Sequence, residues 1–302
     1  MRCACARPDD AGLSDPADTI QTQTSCRCGV RLRGEHVRHT PIDGFWQVEY
    51  DDPHDEFVDV GNTNVSLRRT AFTVYADGRF LQIRTDSGRR PPTTWPPSEA
   101  ERVSLFRSST ASAGRFRYDQ NADDAAAHTG AVAHTVTMAP DPRDVGARFD
   151  CAVTIDGDTA EVRGTDPHGA SVHERWRRLS RRGATPLAGA WASGDDDDRW
   201  MLLVTAGHYG VVHSKAVSVE LPETGELGDA DVLAVFESFG SNAGAIVQTA
   251  TSFDNHPFVA SNSSGYEARK HESFFLSSVE SDRLMIGFED DGSDALPWTR
   301  LD

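Results

Sequence analysis

Ile42-Asp-Gly-Phe-Trp46 returns later in the chain as Leu187-Ala-Gly-Ala-Trp191. Working outward from these two stretches, the matches continue in the same order. Ala76-Asp-Gly-Arg-Phe80 is echoed by Thr205-Ala-Gly-His-Tyr209. Ser104-Leu-Phe-Arg-Ser108 through Ser112-Ala-Gly114 aligns without gaps with Ala234-Val-Phe-Glu-Ser238 through Asn242-Ala-Gly244. Trp176-Arg-Arg-Leu179 and Trp298-Thr-Arg-Leu301 close the two series. An ordered set of this kind marks an internal repeat, two copies of one folding unit joined near the polar stretch Ser180-Arg-Arg-Gly-Ala-Thr185.

The texture within each copy is β. Short runs such as Ala71-Phe-Thr-Val-Tyr75, Phe80-Leu-Gln-Ile83, Ala152-Val-Thr-Ile155, Met201-Leu-Leu-Val204 and Arg283-Leu-Met-Ile286 alternate with turn signals such as Asp77-Gly78 and Asp156-Gly157. Repeated short strands with tight turns predict all-β barrels or sandwiches. Two segments read as helices. One runs from Ser98 to Arg107, with Ser98 as N-cap and Glu101 completing a capping box; the other runs from Asp229 to Glu237, capped by an Asp. Arg89 to Pro97, rich in proline, reads as a loop.

These landmarks resemble a lipocalin-like domain in each half. The resemblance rests on Gly-x-Trp at the first strand (Gly44 and Trp46; Gly189 and Trp191), the glycine-aromatic hairpin, the single short helix, and a closing Trp-x-Arg (Trp176 and Arg178; Trp298 and Arg300). It implies two tandem antiparallel up-and-down β-barrels, each with a short helix: barrel 1 over 41–180 and barrel 2 over 186–302, after an N-terminal extension at 1–40. Asp86 to Pro97 and 119–124 depart from the pattern as insertions in the first copy. Tandem barrels similar to this occur among proteins that cyclise or isomerise polyketide- or terpene-like intermediates.

Composition excludes several function classes. The chain has 302 residues and a formal net charge of −17, and of its 30 basic residues all but Lys215 and Lys270 are arginines. A field of that sign disfavours nucleic acid and anionic membrane surfaces. No run of 18 apolar residues exists, and Met1 to Asp18 lacks a signal-peptide core. The expected location is therefore cytoplasmic. Cys3, Cys5, Cys26 and Cys28 form two C-x-C pairs, tighter than the usual C-x₂₋₄-C; the favoured reading is incidental thiols of the extension, with a structural zinc held by the four as the alternative. Phosphate loops, nucleophile elbows and Rossmann fingerprints are absent, so neither a cofactor nor a metal is expected. Oligomeric state stays open.

The landmark Trp and Arg residues read as structural. In a closed barrel the last strand returns beside the first, so Arg178 can stack on Trp46 and Arg300 on Trp191. Histidine is the more informative class, because it moves protons near neutral pH. In Gly207-His-Tyr-Gly-Val-Val-His213, alternation puts Tyr209 and His213 on one strand face and His208 on the other. Glu237, at the end of the second helix, is the candidate carboxylate to orient a histidine. Tyr209, His213 and Glu237 are thus the expected catalytic set in the second barrel, with a core tyrosine and a solvated rim histidine as the alternative. His208, Asn242, His256 and His271, with Tyr75, Arg84 and Arg107 in the first half, are the expected ligand-binding residues. Arg84 and Arg107 suit contact with an anion better than proton transfer. Two functions follow. One is a cofactor-independent cyclase or isomerase acting on a small hydrophobic molecule. The other is a non-catalytic carrier, which needs only apolar lining and a rim contact.

Overall fold

The computed structural model describes residues 39–49, 57–60, 63–66, 70–86, 89–90, 92–93, 96–121, 128–166, 168–217, 225–261, 272–288 and 293–301. The paired C-x-C thiols and His271 lie outside these residues. The first half opens with β1 (Gly44–Glu49) and a small separate hairpin of β2 (Phe57–Val60) and β3 (Thr63–Ser66). Then follow β4 (Thr70–Ala76), β5 (Arg79–Thr85), α1 (Glu99–Arg107), β6 (Ser109–Gln120) and β7 (His128–Met138). A 3₁₀ turn at Pro142–Asp144 leads to β8 (Arg148–Asp156), β9 (Thr159–Thr165) and β10 (Ser171–Arg181). The second half contains β11 (Gly189–Gly194), β12 (Asp198–Val204), β13 (His208–Lys215), α2 (Asp229–Ser238) and β14 (Phe239–Gln248). It ends with β15 (Ser252–Ala260), β16 (Glu272–Val279), β17 (Arg283–Gly287) and β18 (Leu296–Arg300).

Both halves close into antiparallel barrels. Strand order is β1-β10-β9-β8-β7-β6-β5-β4 in the first and β11 to β18 in sequence in the second. The expected all-β, two-barrel architecture is therefore the observed one. The repeat extends to irregularities of register: a bulge falls between Ala113 and Gly114 on β6 and between Ala243 and Gly244 on β14. Among the described residues no helix is long and apolar enough to cross a membrane.

Each barrel has a closed end built on the repeated Gly-x-Trp. Trp46 and Trp191 are fully buried, and their indole N–H groups donate to Ile42 O at 2.7 Å and Leu187 O at 2.8 Å. The Arg178 guanidinium lies 4.2 Å from the Trp46 ring centroid, and that of Arg300 lies 4.1 Å from Trp191, the stacking expected from barrel closure. Gly44 and Gly189 adopt φ of 146° and 137°. A Cβ at Gly44 would sit 2.6 Å from Ser180 O, so glycine is required both by conformation and by close approach.

The continuous apolar runs have a different cause from the alternating ones. β4 is buried at every position. Its Ala71 and Tyr75 face their own barrel's interior, while Phe72, Val74 and Ala76 join a second core shared with Ala190, Met201, Leu203 and Val212 of the other barrel. A strand with both faces covered loses its polar alternation. Gly210 permits the approach, since a Cβ there would lie 2.8 Å from Leu81 Cδ2 and 3.0 Å from Val74 Cγ2. Polar ties reinforce the junction. Asp77, in the β4–β5 turn with φ 47°, accepts from Ala190 N at 3.1 Å and pairs with Arg182 at 2.7 Å.

Helix α1 begins as expected, with Ser98 as N-cap and Glu101 completing a capping box. Helix α2 corrects the expectation of an Asp cap. Its N-cap is Gly228, with no side-chain cap bond, because Asp229 sits inside the first turn and pairs with Arg107 of α1 at 2.8 Å.

Candidate functional site

The inward faces of β4, β5, β7 and β10 converge on a cavity of about 640 Å³ inside the first barrel. Alternation decides what each strand contributes: Thr73 and Tyr75 from β4, Phe80, Gln82 and Arg84 from β5, His134 from β7, and Trp176 from β10. Phe149 and Cys151 of β8 complete the wall. The mouth lies at the helix-bearing end, where Arg107, Asp141, Asp144 and Leu227 reach the opening.

Two polar pairs are set into this mostly aromatic wall. Tyr75 Oη is 2.9 Å from His134 Nε2, and both residues are buried. His134 lies flat on Phe149, with centroids 4.3 Å apart and an interplanar angle of 8°. Burial pushes the His134 imidazole down to about 4 and holds the Tyr75 phenol well above its ordinary range, so both are uncharged at neutral pH. Closer to the mouth, Arg84 and Glu174 form a bidentate ion pair, with one arm at 2.9 Å. The same Glu174 carboxylate accepts the Trp176 indole N–H at 2.8 Å. Trp176 in turn lies near-parallel to Tyr75, at 25° and 6.3 Å. The Cys151 thiol is raised to about 11, chiefly by burial. The result is an aromatic inner chamber in which the Arg84 and Glu174 charges cancel and whose inner end offers one neutral hydroxyl–imidazole couple, below a mouth that carries Arg107, Arg143, Asp141, Asp144, Asp166 and Glu226.

The expected residues are distributed between the barrels. Tyr209 and His213 do share the inward face of β13, and Tyr209 is buried in the core with Trp191 and Leu202. His213 Nε2 meets Asp198 Oδ1 at 2.6 Å and stacks on Trp200 at 3.9 Å. Glu237 does not join them: it is exposed on α2 and pairs with Arg102 of α1 at 2.5 Å. The carboxylate facing His213 comes instead from the start of β12. His208 lies in the seam between the barrels, stacked on Phe45 at 4.6 Å and bonded to Ser180 Oγ at 2.9 Å. His256 pairs in register with Ala245 and is half-buried on the face opposite Phe253 and Asn255. Asn242 stands opposite Val211 on the inward face of β14.

In the first barrel Tyr75, Arg84 and Arg107 all line the cavity. Both arginines have a carboxylate partner, Arg84 in Glu174 on the wall and Arg107 in the exposed Asp229. His134, Glu174 and Trp176 were not expected at a site. The inward alternation of Val132, His134 and Val136 was the available sign for His134; nothing local marks Glu174 as the partner of Arg84. Among the described residues no group of three or more His, Cys, Asp or Glu is placed to hold a metal.

No protein-family model matches the chain, and no curated protein matches it. A crystal structure of an uncharacterized protein from Saccharomyces cerevisiae is similar at 12% sequence identity and a TM-score of 0.41, over 85% of this chain and 97% of that chain.

Proposed function

We propose that the first barrel binds a small, uncharged, hydrophobic molecule of polyketide- or terpene-like character. The protein acts on it as a cofactor-independent isomerase or cyclase of lipocalin-like type. The observation that carries the reading is the Tyr75–His134 bond of 2.9 Å on the cavity wall. A phenol and an imidazole that are both neutral can donate to a carbonyl oxygen and accept a proton without placing a net charge in an apolar chamber. Phe80, Phe149 and Trp176 supply flat walls that fold a flexible ligand against this couple. The Arg84–Glu174 pair, balanced within itself, adds no net charge to the inner wall.

A carrier without chemistry is the second reading, and it is favoured by the same self-neutralised ion pair and aromatic lining. One experiment separates the two. The purified protein is extracted with organic solvent and the released compound is identified by mass spectrometry. That compound is then incubated with wild type, Tyr75→Phe and His134→Gln. An isomerase converts it, and each variant slows conversion by about 10²-fold while still binding. A carrier binds without converting. Unchanged turnover in both variants refutes the assignment of the couple.

A further inference from the structure

The second barrel carries a different set of inward polar groups. At its helix-bearing end, Trp200 and His213 stack at 3.9 Å and 17° with Asp198 holding the imidazole. Trp298 stands edge-on to Trp200 at 6.4 Å. Trp200, Val211 and Phe274 pack against the interior core yet stay only partly buried, so apolar surface remains reachable from this end. Asp195, Asp196, Asp197 and Asp198 crowd the β11–β12 turn, against Arg199 and Lys215. Lys215 Nζ reaches Asp198 Oδ2 at 3.8 Å.

Deeper in, the unmet hydrogen-bonding capacity is that of acceptors. Asn255 is 6% exposed and shares the inward face with Phe253, and its Oδ1 has no partner. Asn242 Oδ1, nearer the mouth, is also buried without one. Isolated buried carbonyl oxygens on an apolar inward face favour a ligand that brings N–H or O–H donors. Aromatic faces beside an acidic rim favour a cation. On the inner wall of the first barrel, by contrast, the acidic and basic groups Glu174 and Arg84 pair with each other.

We propose that the second barrel is a separate binding site for a protonated organic amine. The ammonium lies at the Trp200–Asp198 rim, and its donors or those of its body reach Asn242 and Asn255.

The test titrates three probes that share a phenol O–H at the far end, 2-(4-hydroxyphenyl)ethylammonium, 2-(4-hydroxyphenyl)ethanol and 4-hydroxyphenylacetate, followed by calorimetry and tryptophan emission. The ammonium is expected to bind at least about tenfold more tightly than the alcohol, with the carboxylate weakest. Asp198→Asn and Asn255→Leu should each weaken the ammonium about tenfold. Asn255→Leu should meanwhile raise Tm, because it removes an unpartnered buried oxygen. That rise shows that the variant is folded and separates loss of recognition from loss of structure. Asp282→Asn, at the opposite end of the barrel, controls for general attraction to an acidic protein. Equal affinity for the carboxylate, no binding of the ammonium up to about 10 mM, or an unchanged Kd in both Asp198→Asn and Asn255→Leu would each overturn the proposal. So would an equal loss in Asp282→Asn.

Discussion

Replacing His208 by Gln should remove an acid-sensitive step in the stability of the protein. His208 is 9% exposed between the barrels, stacked on Phe45, and burial pushes its imidazole from 6.5 down to about 4. The unfolded chain therefore takes up the proton first as pH falls. The folded state has its full stability above the unfolded value, loses it as pH drops from about 6.5 to about 4, and changes no further below that. The shift corresponds to about 3 kcal/mol over the whole window, of which about 2 kcal/mol is gone by about pH 5. Gln keeps a polar contact for Ser180 and cannot ionise. Urea denaturation of wild type and His208→Gln at about pH 7.5 and about pH 5 measures the difference directly, because contributions from other groups cancel between the two proteins. Wild type should lose about 2 kcal/mol more than the variant on acidification. Parallel losses in the two proteins would refute the buried, uncharged state assigned to His208.

Three further outcomes are expected. Trp46→Ala and Trp191→Ala should each cost about 3–5 kcal/mol in denaturant melts, since each removes a fully buried indole, its hydrogen bond and the platform for an arginine. Gly210→Ala should destabilise by about 1–3 kcal/mol through overpacking against Leu81 and Val74. Adding Leu81→Ala should recover part of that loss, and strict additivity in the double-mutant cycle would show that the barrels do not meet there. Glu174→Gln should cost about 2 kcal/mol by leaving the Arg84 charge in the wall, a value reduced from that of a fully buried pair because Arg84 is 26% exposed. A variant melting like wild type would mean that the ion pair contributes nothing to the fold.

The repeat, the barrels and their closed ends were legible in the chain because their causes are local. A glycine whose backbone lies at φ 146° or 137° cannot readily be replaced. A tryptophan two residues later recurs with it, and an arginine returns on the strand that closure brings alongside. The capping box of α1 is likewise written in four consecutive residues. The site was less legible. Alternation groups Tyr209 with His213 and separates His208, but it does not say which face looks into a lumen and which meets the other barrel. Where both are apolar, as in β4, only packing decides. Partners across the barrel are further removed still. Tyr75 meets His134 at a separation of 59 residues and Arg84 meets Glu174 at 90, contacts set by how the strands stagger on closure. Glu237 shows the same limit from the other side. Its place at the end of α2 follows from the sequence, but its partner depends on how α2 lies against α1, and there the nearest cation is Arg102.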